Sequence, residues 1–313
     1  MTWIGRGGEG PKTVFLVNPA SDNGATGRRW PEIAHRAAAA GLSGDVLFSE
    51  RPGHLGQLAV DAAVRGAGRL VVVGGDGTVN EAVNGLVGAG RQGVELAVLP
   101  RGTGTDFVRS FGIPGDIEAA ARIAVEGRTR VLDAGKVTYR AWSGGEAVAY
   151  FANIASAGMS GAVAKRTNET TKAFGGKASY LLATLAVFAS WRNTELRVTV
   201  DDAIRGGRMY DAIVANGRYF GGGMKICPDA EPDDGLFDVL LIGDITKADL
   251  LLNMPRIYRG THLPHPRAEL LRGAVVTVDA PEPLPVELDG EQPGTTPARF
   301  EVVRGALRLR VPA

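Results

Sequence analysis

The stretch LVVVGGDGTVNEAVNGL at residues 70–86 joins a β-branched strand to an amphipathic helix through three glycines and an acid. Gly74, Gly75 and Gly77 have no side chains, so backbone N–H groups at the start of the helix can approach an anion closely. Asp76 would repel a phosphate there unless a divalent cation lay between them or the acid handled a proton. The stretch therefore predicts a loop that binds phosphate together with a cation.

The same glycines also have a purely structural explanation, a tight turn from strand to helix that needs positive φ angles. Asp76 decides between the two explanations in favour of a phosphate loop. The spacing fits neither common phosphate motif, because Asn80 stands at the third glycine of G-x-G-x-x-G and no G-x-x-x-x-G-K-[ST] occurs in the chain. A phosphate loop of a different kind is required.

Two acidic stretches lie much further along the chain. PDAEPDDGLFDV at residues 228–239 has the composition of a solvated acidic turn. VELDGEQPG at residues 286–294 has an Asp-Gly pair between strand-like runs, which is a strong signal for a hairpin turn. From the residues alone, both stretches are explained as ordinary turns.

From Thr13 to about Gly127 the pattern of strands and helices alternates, which predicts βαβ units with a parallel sheet and right-handed crossovers. Four loops follow the C-terminal ends of these strands, and in such folds those ends meet at the edge of the sheet where ligands bind. The four loops are NPAS at 18–21, SERPGH at 49–54, GGDGTVN at 74–80 and PRGTGTD at 100–106.

After about Val131 the sequence changes to recurrent strand-like runs separated by turns, which indicates antiparallel strands of a sandwich or barrel. Helical insertions at about 161–191 and 247–259 interrupt these runs. The expected fold class is α/β plus all-β. It comprises an N-terminal Rossmann-like parallel α/β domain at residues 1–130 and a C-terminal antiparallel β-sandwich domain at residues 131–303.

Length and composition fit a soluble protein of two domains, with 313 residues, 44% of them hydrophobic, and a formal net charge of +1. The near-neutral charge argues against a general role in binding nucleic acid or coating a membrane. Cys227 is the only cysteine, which excludes an intramolecular disulfide and favours a reducing, cytoplasmic setting. The longest apolar helical run, residues 180–191, is shorter than the roughly 20 residues that span a bilayer.

The motifs, in this order, resemble the diacylglycerol kinase catalytic domain family, the soluble lipid kinases that include sphingosine and ceramide kinases. Besides GGDGTVNEAVNGL, the resemblance rests on VNPAS, LPRGTGTDFVRSFGIP, GGGMKICPDAEPDDGLFDV and VELDGE, and it extends from about Val14 to Val311. GGDGT alone also resembles NAD kinases and phosphofructokinases, so the ordered set carries the resemblance. It implies an NAD-kinase-like first domain with ATP in the cleft between the domains, and it allows residues 304–313 to return to the first domain.

The resemblance also implies which residues bind the nucleotide and the metal. A structural magnesium ion matches the carboxylate of Asp234, with Glu231 and Leu236 contributing mainly carbonyl oxygens, and hard oxygen ligands suit this ion. The residues that match the family's ATP site are Asn18, Ser21, Ser49, Gly74, Gly75, Asp76, Gly77, Thr78, Val79, Asn80 and Thr103.

The catalytic base is implied by the match to VELDGE, in which Glu291 is the expected proton acceptor and Asp289 the second candidate. Asp76 is expected near the metal and the phosphates. Two departures from the family pattern affect the site. Asp22 replaces a glycine of the first turn, and residues 104–105 are Gly-Thr where the family often has Ala-Asn.

The implied function is an ATP-dependent lipid kinase that uses Mg²⁺ and transfers the γ-phosphate to a lipid hydroxyl, with diacylglycerol as the expected acceptor. Two alternatives stay open: an NAD kinase-like or other small-molecule kinase, and a nucleotide-binding regulatory protein without catalysis.

A lipid acceptor implies that a cytoplasmic protein contacts a membrane transiently and peripherally. Residues 255–273, PRIYRGTHLPHPRAELLRG, carry four arginines and one acid, which is a basic surface for anionic headgroups or merely a solvated one. An exposed strand edge leaves a homodimer open.

Overall fold

A computed structural model of the chain describes residues 11–102, 105–164 and 186–313. Its N-terminal part alternates short strands with helices. The strands are β1 (Thr13–Val17), β2 (Asp45–Phe48), β3 (Arg69–Gly74) and β4 (Glu95–Pro100). The helices are α1 (Ala25–Arg28), α2 (Trp30–Ala39), α3 (His54–Val64), α4 (Asp76–Gly88), α5 (Asp106–Ser110) and α6 (Ile117–Glu126).

The four strands of the N-terminal part are all parallel and lie in the order β2–β1–β3–β4. Leu16 pairs with Val72, and Val72 pairs with Val98. β1, β3 and β4 are buried over almost their whole length, as expected for parallel strands that helices cover on both faces. Because the strands are parallel, the loops that follow them begin at the same edge of the sheet.

α3 and α4 cross with almost no side chain between them. A Cβ atom at Gly56 would lie 2.7 Å from a backbone oxygen of α4, and one at Gly85 would collide with the carbonyl group of Gly56. On its other side α4 buries Val79, Val83 and Leu86 in the apolar core of the N-terminal part. The two glycines therefore let α4 lie close to α3 while its apolar side packs into the core.

The C-terminal part consists of antiparallel strands and one described helix for which both ends are defined, α7 (Lys247–Arg259). Its strands are β5 (Arg128–Ala141), β6 (Glu146–Phe151), β7 (Ile154–Gly158), β8 (Thr194–Val200), β9 (Ala203–Ala215), β10 (Tyr219–Phe220), β11 (Met224–Lys225), β12 (Phe237–Gly243), β13 (Ala268–Gly273), β14 (Val275–Asp279), β15 (Pro285–Leu288) and β16 (Glu291–Val311).

These strands do not form the predicted sandwich of two separate sheets. β8, β9, β7, β15, β16 and β14 pair in that order, and β14 pairs back with β8, so six strands form a closed hydrogen-bonded circuit, as in a barrel. The circuit surrounds one apolar core in which Phe151 packs against Phe237 and Phe300. Sandwiches and barrels share the same alternation of apolar and polar residues, so this alternation alone could not separate them.

β5 and β16 join the two parts of the molecule. β16 pairs antiparallel with β5 between Gly294 and Val311, and Arg308 and Leu309 also pair with β4 in parallel. One sheet of 14 strands therefore runs through both parts. The domain boundaries at residues 130 and 303 stay predictions, because β5 continues across the first and β16 across the second.

A β-bulge interrupts the pairing of β5 and β16 between Val303 and Leu307. Beneath it, the buried carboxylate of Asp133 accepts hydrogen bonds from the backbone N–H groups of Gly305 and Gly235, each at 2.8 Å. Gly305 has a φ of 61°. Asp133 thus fixes the bulge and ties it to the loop before β12.

No helix among the described residues is long and apolar enough to cross a bilayer. Half of the apolar run at 180–191, residues 180–185, lies outside the described residues.

Candidate active site

The predicted phosphate loop is the junction of β3 and α4. β3 ends at Gly74, Gly75 is extended with a φ of −95°, and α4 starts at Asp76. A Cβ atom at Gly74 would collide with the side chain of Thr78, so only glycine fits at the end of the strand. The first N–H groups of α4 therefore begin at the strand edge, where a helix N-terminus favours an anion.

The turn after β1 is hydrogen-bonded to this loop. Asn18 donates from Nδ2 to Oγ1 of Thr78 at 3.1 Å, and its backbone N–H donates to the carbonyl of Val73 at 3.1 Å. Ser21 donates its hydroxyl within the turn, to the carbonyl of Asn18 at 2.9 Å. Asn18 and Ser21 thus shape the turn and hold it against the phosphate loop.

Asp22, one of the two departures from the family pattern, has a φ of 54°. A glycine adopts this left-handed conformation without strain, which explains why the family pattern has a glycine at this position. The Asp22 carboxylate pairs with Arg101 at 2.9 Å and so joins the turn after β1 to the loop after β4. Ser49 is buried at the end of β2, and its N–H donates to Val17. Thr103 lies outside the described residues.

Asp76 is mostly buried and faces the start of α5. Its two carboxylate oxygens accept the backbone N–H groups of Asp106 at 3.1 Å and Phe107 at 3.2 Å. Burial, together with the charge of Asp106, raises the pKa of Asp76 to about 6. Asp76 therefore connects the phosphate loop to the loop after β4.

Asp106 is a site residue that the sequence predictions did not single out. It is buried, and Oδ2 accepts the N–H of Gly222 at 2.7 Å, while Oδ1 has no hydrogen-bond partner among the described residues. Burial raises the pKa of Asp106. The nearest cation is Arg109, whose Nε lies 3.9 Å from Oδ1. The sequence could have indicated Asp106 by its position as the last residue of PRGTGTD, one of the four loops expected at the edge of the sheet where ligands bind.

Asp76 and Asp106 together place two buried carboxylates at the start of a helix, one with an unsatisfied oxygen. Carboxylate oxygens of this kind suit a hard cation such as Mg²⁺. Burial is the main cause of the raised pKa of both acids. The pair fits the divalent ion that accompanies a nucleotide.

Asp289 does not have a free carboxylate. It accepts hydrogen bonds from the backbone N–H groups of Ala152, Asn153 and Ile154 at 2.9–3.0 Å, and from Nδ2 of Asn80 at 3.1 Å. Its φ of 49° belongs to the tight turn between β15 and β16. The structure therefore makes Asp289 the anchor that fastens this turn to α4 and to the segment before β7.

Glu291 begins β16 immediately after that turn. A Cβ atom at Gly77 would lie 3.1 Å from Oε1 of Glu291, so the carboxylate rests directly against the phosphate loop. The residue is reached by solvent, yet the surrounding atoms desolvate the carboxyl group and, with the charge of Glu81, raise its pKa. The structure thus brings together residues that lie more than 200 positions apart in the sequence.

Glu287 is a second residue that the sequence predictions passed over, although it lies within the quoted VELDGE. It is fully enclosed, and it accepts hydrogen bonds from the N–H of Gly290 and from the hydroxyl of Ser156. Burial raises the pKa of Glu287 to about 8, so it is protonated at neutral pH. Its bond to Gly290 fixes the turn that carries Glu291.

A cleft of about 430 Å³ opens beside Glu291, between α3, α4 and the β15–β16 turn. Its polar lining includes Glu81 and Asn84, and Glu81 also accepts the N–H of Leu55 at 3.1 Å. Val60 and Leu288 contribute to its apolar lining. The cleft has the mixed character that suits an amphiphilic molecule with a polar end near Glu291.

The acidic stretch at 228–239 contains the residues that the resemblance assigns to a structural magnesium ion. The carboxylate of Asp234 pairs with Arg272 and accepts the N–H of Leu236 at 2.9 Å. Glu231 is exposed. Within the described ranges no three His, Cys, Asp or Glu side chains lie close enough together to hold a metal ion. The magnesium site predicted at this loop, with one carboxylate and mainly carbonyl oxygens as ligands, stays a prediction.

Two family patterns match most of the chain. Residues 12–137 match the diacylglycerol kinase catalytic domain, and residues 153–311 match the YegS C-terminal NAD kinase beta sandwich-like domain. A protein of Pseudomonas aeruginosa named "Probable lipid kinase YegS-like" is 33% identical over 301 residues, which cover 96% of this chain and 94% of that protein. A diacylglycerol kinase of Staphylococcus carnosus is 28% identical over 298 residues, covering 95% and 94% of the two chains.

Solved structures show the same fold. A diacylglycerol kinase from Bacillus anthracis superposes with a TM-score of 0.71 at 19% identity, covering 97% of this chain and 98% of that one. The yeast NADH kinase complexed with NADH superposes with a TM-score of 0.52 at 11% identity, covering 96% and 83%. At these identities the superpositions concern the fold alone.

Proposed function

The chain belongs to the diacylglycerol kinase catalytic domain family of lipid kinases, and on that premise we propose that it transfers the γ-phosphate of ATP to the hydroxyl group of diacylglycerol. The observation that carries the proposal is the contact of the Glu291 carboxylate with Gly77 of the phosphate loop. A proton acceptor is thereby held against the loop that binds the donor phosphates. The product is phosphatidic acid.

The donor half of the site comprises the N-terminus of α4 and the turns fastened to it. N–H groups at the start of α4 bind phosphate oxygens, and the links through Asn18 and Asp76 hold neighbouring loops in place. Asp76 and Asp106 would hold the Mg²⁺ of the nucleotide. When bound, that ion neutralises charge on the phosphoryl oxygens.

Glu291 is the group to which we assign the proton transfer. The lipid O–H gives its proton to the Glu291 carboxylate while the oxygen forms a bond to the γ-phosphorus, and the bond from that phosphorus to the β–γ bridging oxygen breaks to release ADP. The raised pKa of Glu291 makes its carboxylate a stronger base than an ordinary glutamate. Asp289, with four N–H donors on its carboxylate, is a positioning residue in this assignment.

The cleft between α3, α4 and the β15–β16 turn is where we place the polar end of the acceptor. Glu291 lines the cleft, so a glycerol hydroxyl placed beside it reaches the base, while Val60 and Leu288 offer apolar contacts to the first acyl carbons. These apolar contacts suit an acyl chain better than a dinucleotide, which favours diacylglycerol over the NAD kinase alternative.

The test compares Glu291→Gln with wild type in an assay that offers radiolabelled ATP and diacylglycerol in mixed micelles. We expect kcat to fall at least about 100-fold, the usual contribution of a general base, while the dissociation constant for ATP is unchanged. Glu282→Gln, at an exposed acid before β15, is the matched control and should keep full activity.

Near-normal turnover by Glu291→Gln would show that Glu291 is not the catalytic base. Phosphorylation of NAD in place of diacylglycerol by wild type would favour the small-molecule kinase. ATP binding without turnover on any lipid of a total extract would favour the regulatory protein.

A further inference from the structure

One side of α7 exposes large apolar side chains to solvent. Leu251 is 58%, Leu252 78% and Tyr258 49% exposed. Ten large hydrophobic residues are exposed in the described part of the chain, and three of them lie within the eight positions from 251 to 258. Leu251, exposed Pro255 and Tyr258 recur at intervals of four and three, so they share one side of the helix, and Leu252 adjoins them. We call these four residues the α7 face.

The orientation of the α7 face is fixed by the packing of the opposite side. Leu250 and Ile257 are buried in an apolar cluster with Ile226 of the β11 region. The helix is capped at both ends. The hydroxyl of Thr246 accepts the N–H of Asp249 at 3.1 Å, and Gly260 adopts a φ of 73° after the last turn. The α7 face is therefore displayed by a rigid element, and its exposure does not arise from a frayed end.

Basic side chains surround the α7 face. Lys247 starts the helix, and Arg256 and Arg259 are exposed in its last turn. Within the described ranges none of the three forms an ion pair with a carboxylate. Arg267, shortly after the helix, adds a fourth positive charge. An apolar patch with a basic rim is complementary to a surface that offers negative charge outside and hydrocarbon beneath.

A second copy of the chain is a poor occupant for this surface. In a symmetric dimer the same patch lies on both sides, and α7 offers it one acid, Asp249, against the three basic side chains Lys247, Arg256 and Arg259, so positive charge stays in excess. An anionic bilayer meets both requirements, because its headgroups neutralise the arginines and its interface accepts leucine and tyrosine side chains.

We propose that the α7 face is the surface by which the protein docks on anionic membranes, with Leu251, Leu252 and Tyr258 entering the interface and Arg256 and Arg259 contacting headgroups. The inference rests on the proposed lipid kinase function, since a diacylglycerol acceptor lies in a bilayer. It adds the place of contact and the lipid charge that the contact requires.

The experiment measures sedimentation of the full chain with vesicles, without ATP. Vesicles contain phosphatidylcholine alone or with phosphatidylglycerol. Leu251→Gln/Leu252→Gln should lower partition at least about tenfold on anionic vesicles, because the variant loses the apolar surface that two leucines bury in the interface. Arg256→Gln/Arg259→Gln should lower it about tenfold or more on anionic vesicles and leave phosphatidylcholine binding unchanged. Val64→Gln is the matched control, since Val64 on α3 is also 58% exposed.

Three outcomes would overturn the proposal: wild-type partition by the double leucine variant, an equal loss with Val64→Gln, or a dimer in solution that the leucine substitutions dissociate. Kinase activity on a short-chain diacylglycerol dispersed as monomers separates the surface from the chemistry. The leucine variant should keep that activity. If wild type phosphorylates no lipid, the proposed function fails while the vesicle measurements still decide the docking surface.

Discussion

Glu81 and Glu291 both line the same cleft, and we assign the role of proton acceptor to Glu291 alone. Glu81 lies one turn along α4 from the phosphate loop, and its carboxylate accepts the N–H of Leu55. The carboxylate of Glu291 has no hydrogen-bond partner among the described residues. Desolvation and, after it, the negative charge of Glu81 raise the pKa of Glu291. Glu81 is therefore expected to set the basicity of its neighbour without contacting the reacting atoms.

Glu81→Gln should move the acid limb of the kcat/KM profile to lower pH. Loss of the charge lowers the pKa of Glu291, so the base becomes deprotonated at lower pH, and glutamine keeps an oxygen for the N–H of Leu55. The measurement is the pH dependence of lipid phosphorylation. Glu126→Gln, an exposed acid at the end of α6, should leave the profile in place. An unmoved acid limb in Glu81→Gln would show that Glu291 does not titrate in that limb.

The motifs predicted which residues gather at the site but not what each side chain contacts. Asn80, Asp289 and Glu291 were all singled out from the sequence, and the structure brings them to one turn. The sequence could not predict that N–H donors occupy the carboxylate of Asp289, because three of the four donors are backbone groups of a distant segment. Asp106 was missed for the same reason, since its burial arises from contacts with the β10–β11 hairpin.

At the scale of elements, the position of the phosphate loop depends on the close crossing of α3 and α4. The crossing sets the width of the cleft, because both helices line it. Gly85 faces the carbonyl of Gly56 with no room for a methyl group.

Gly85→Ala should destabilise the protein by about 1–3 kcal/mol, as expected when a well-packed contact is overfilled. Helix propensity alone would favour alanine by about 1 kcal/mol, so the sign of the change identifies the steric cause. Gly88→Ala is the control in the same helix, because its Cβ would meet Tyr150 at an ordinary 3.4 Å. Urea denaturation measures both. Equal stabilisation by the two substitutions would show that the helices can separate at no cost.

The elements were easier to predict than their arrangement. Alternating strands and helices before residue 127 predicted the parallel order of loops at one edge, since the connection rule follows from chain handedness. In the C-terminal part the strands were recognised, but the sequence pattern left a sandwich and a barrel open, and the sandwich was the expected fold. Closure depends on which strands pair, and β7 and β8, which both pair with β9, are separated by 35 residues of sequence.

For the molecule as a whole, buried acids determine how stability responds to pH. Glu287 lies within the sheet with a pKa of about 8, against an ordinary 4.5, so the folded state holds a proton that the unfolded state releases. Stability therefore decreases as pH rises from about 4.5 to about 8. Asp76 and Asp211, each with a pKa of about 6, act in the same direction over the acidic part of that interval.

Glu287→Gln should flatten this dependence between pH 6 and 8. Glutamine accepts the Gly290 N–H and bonds Ser156 without a titrating proton, so the slope loses up to about 1.4 kcal/mol per pH unit. The free energy of unfolding in urea, measured at several pH values, gives the slope. Parallel curves for wild type and variant would mean that Glu287 titrates at its ordinary pKa in the folded protein. Glu269→Gln, at an exposed acid of β13, is the control.

The ribbon of β5 and β16 has a mechanical consequence for the cleft. The N-terminal and C-terminal parts share two hydrogen-bonded strands and no free hinge at that connection, so they cannot swing apart as independent bodies there. Any opening at this connection must twist or bend the ribbon, and Asp133 holds the bulge at 303–307 through the N–H of Gly305. We therefore expect the two parts to move relative to each other at this connection only as far as the paired strands bend.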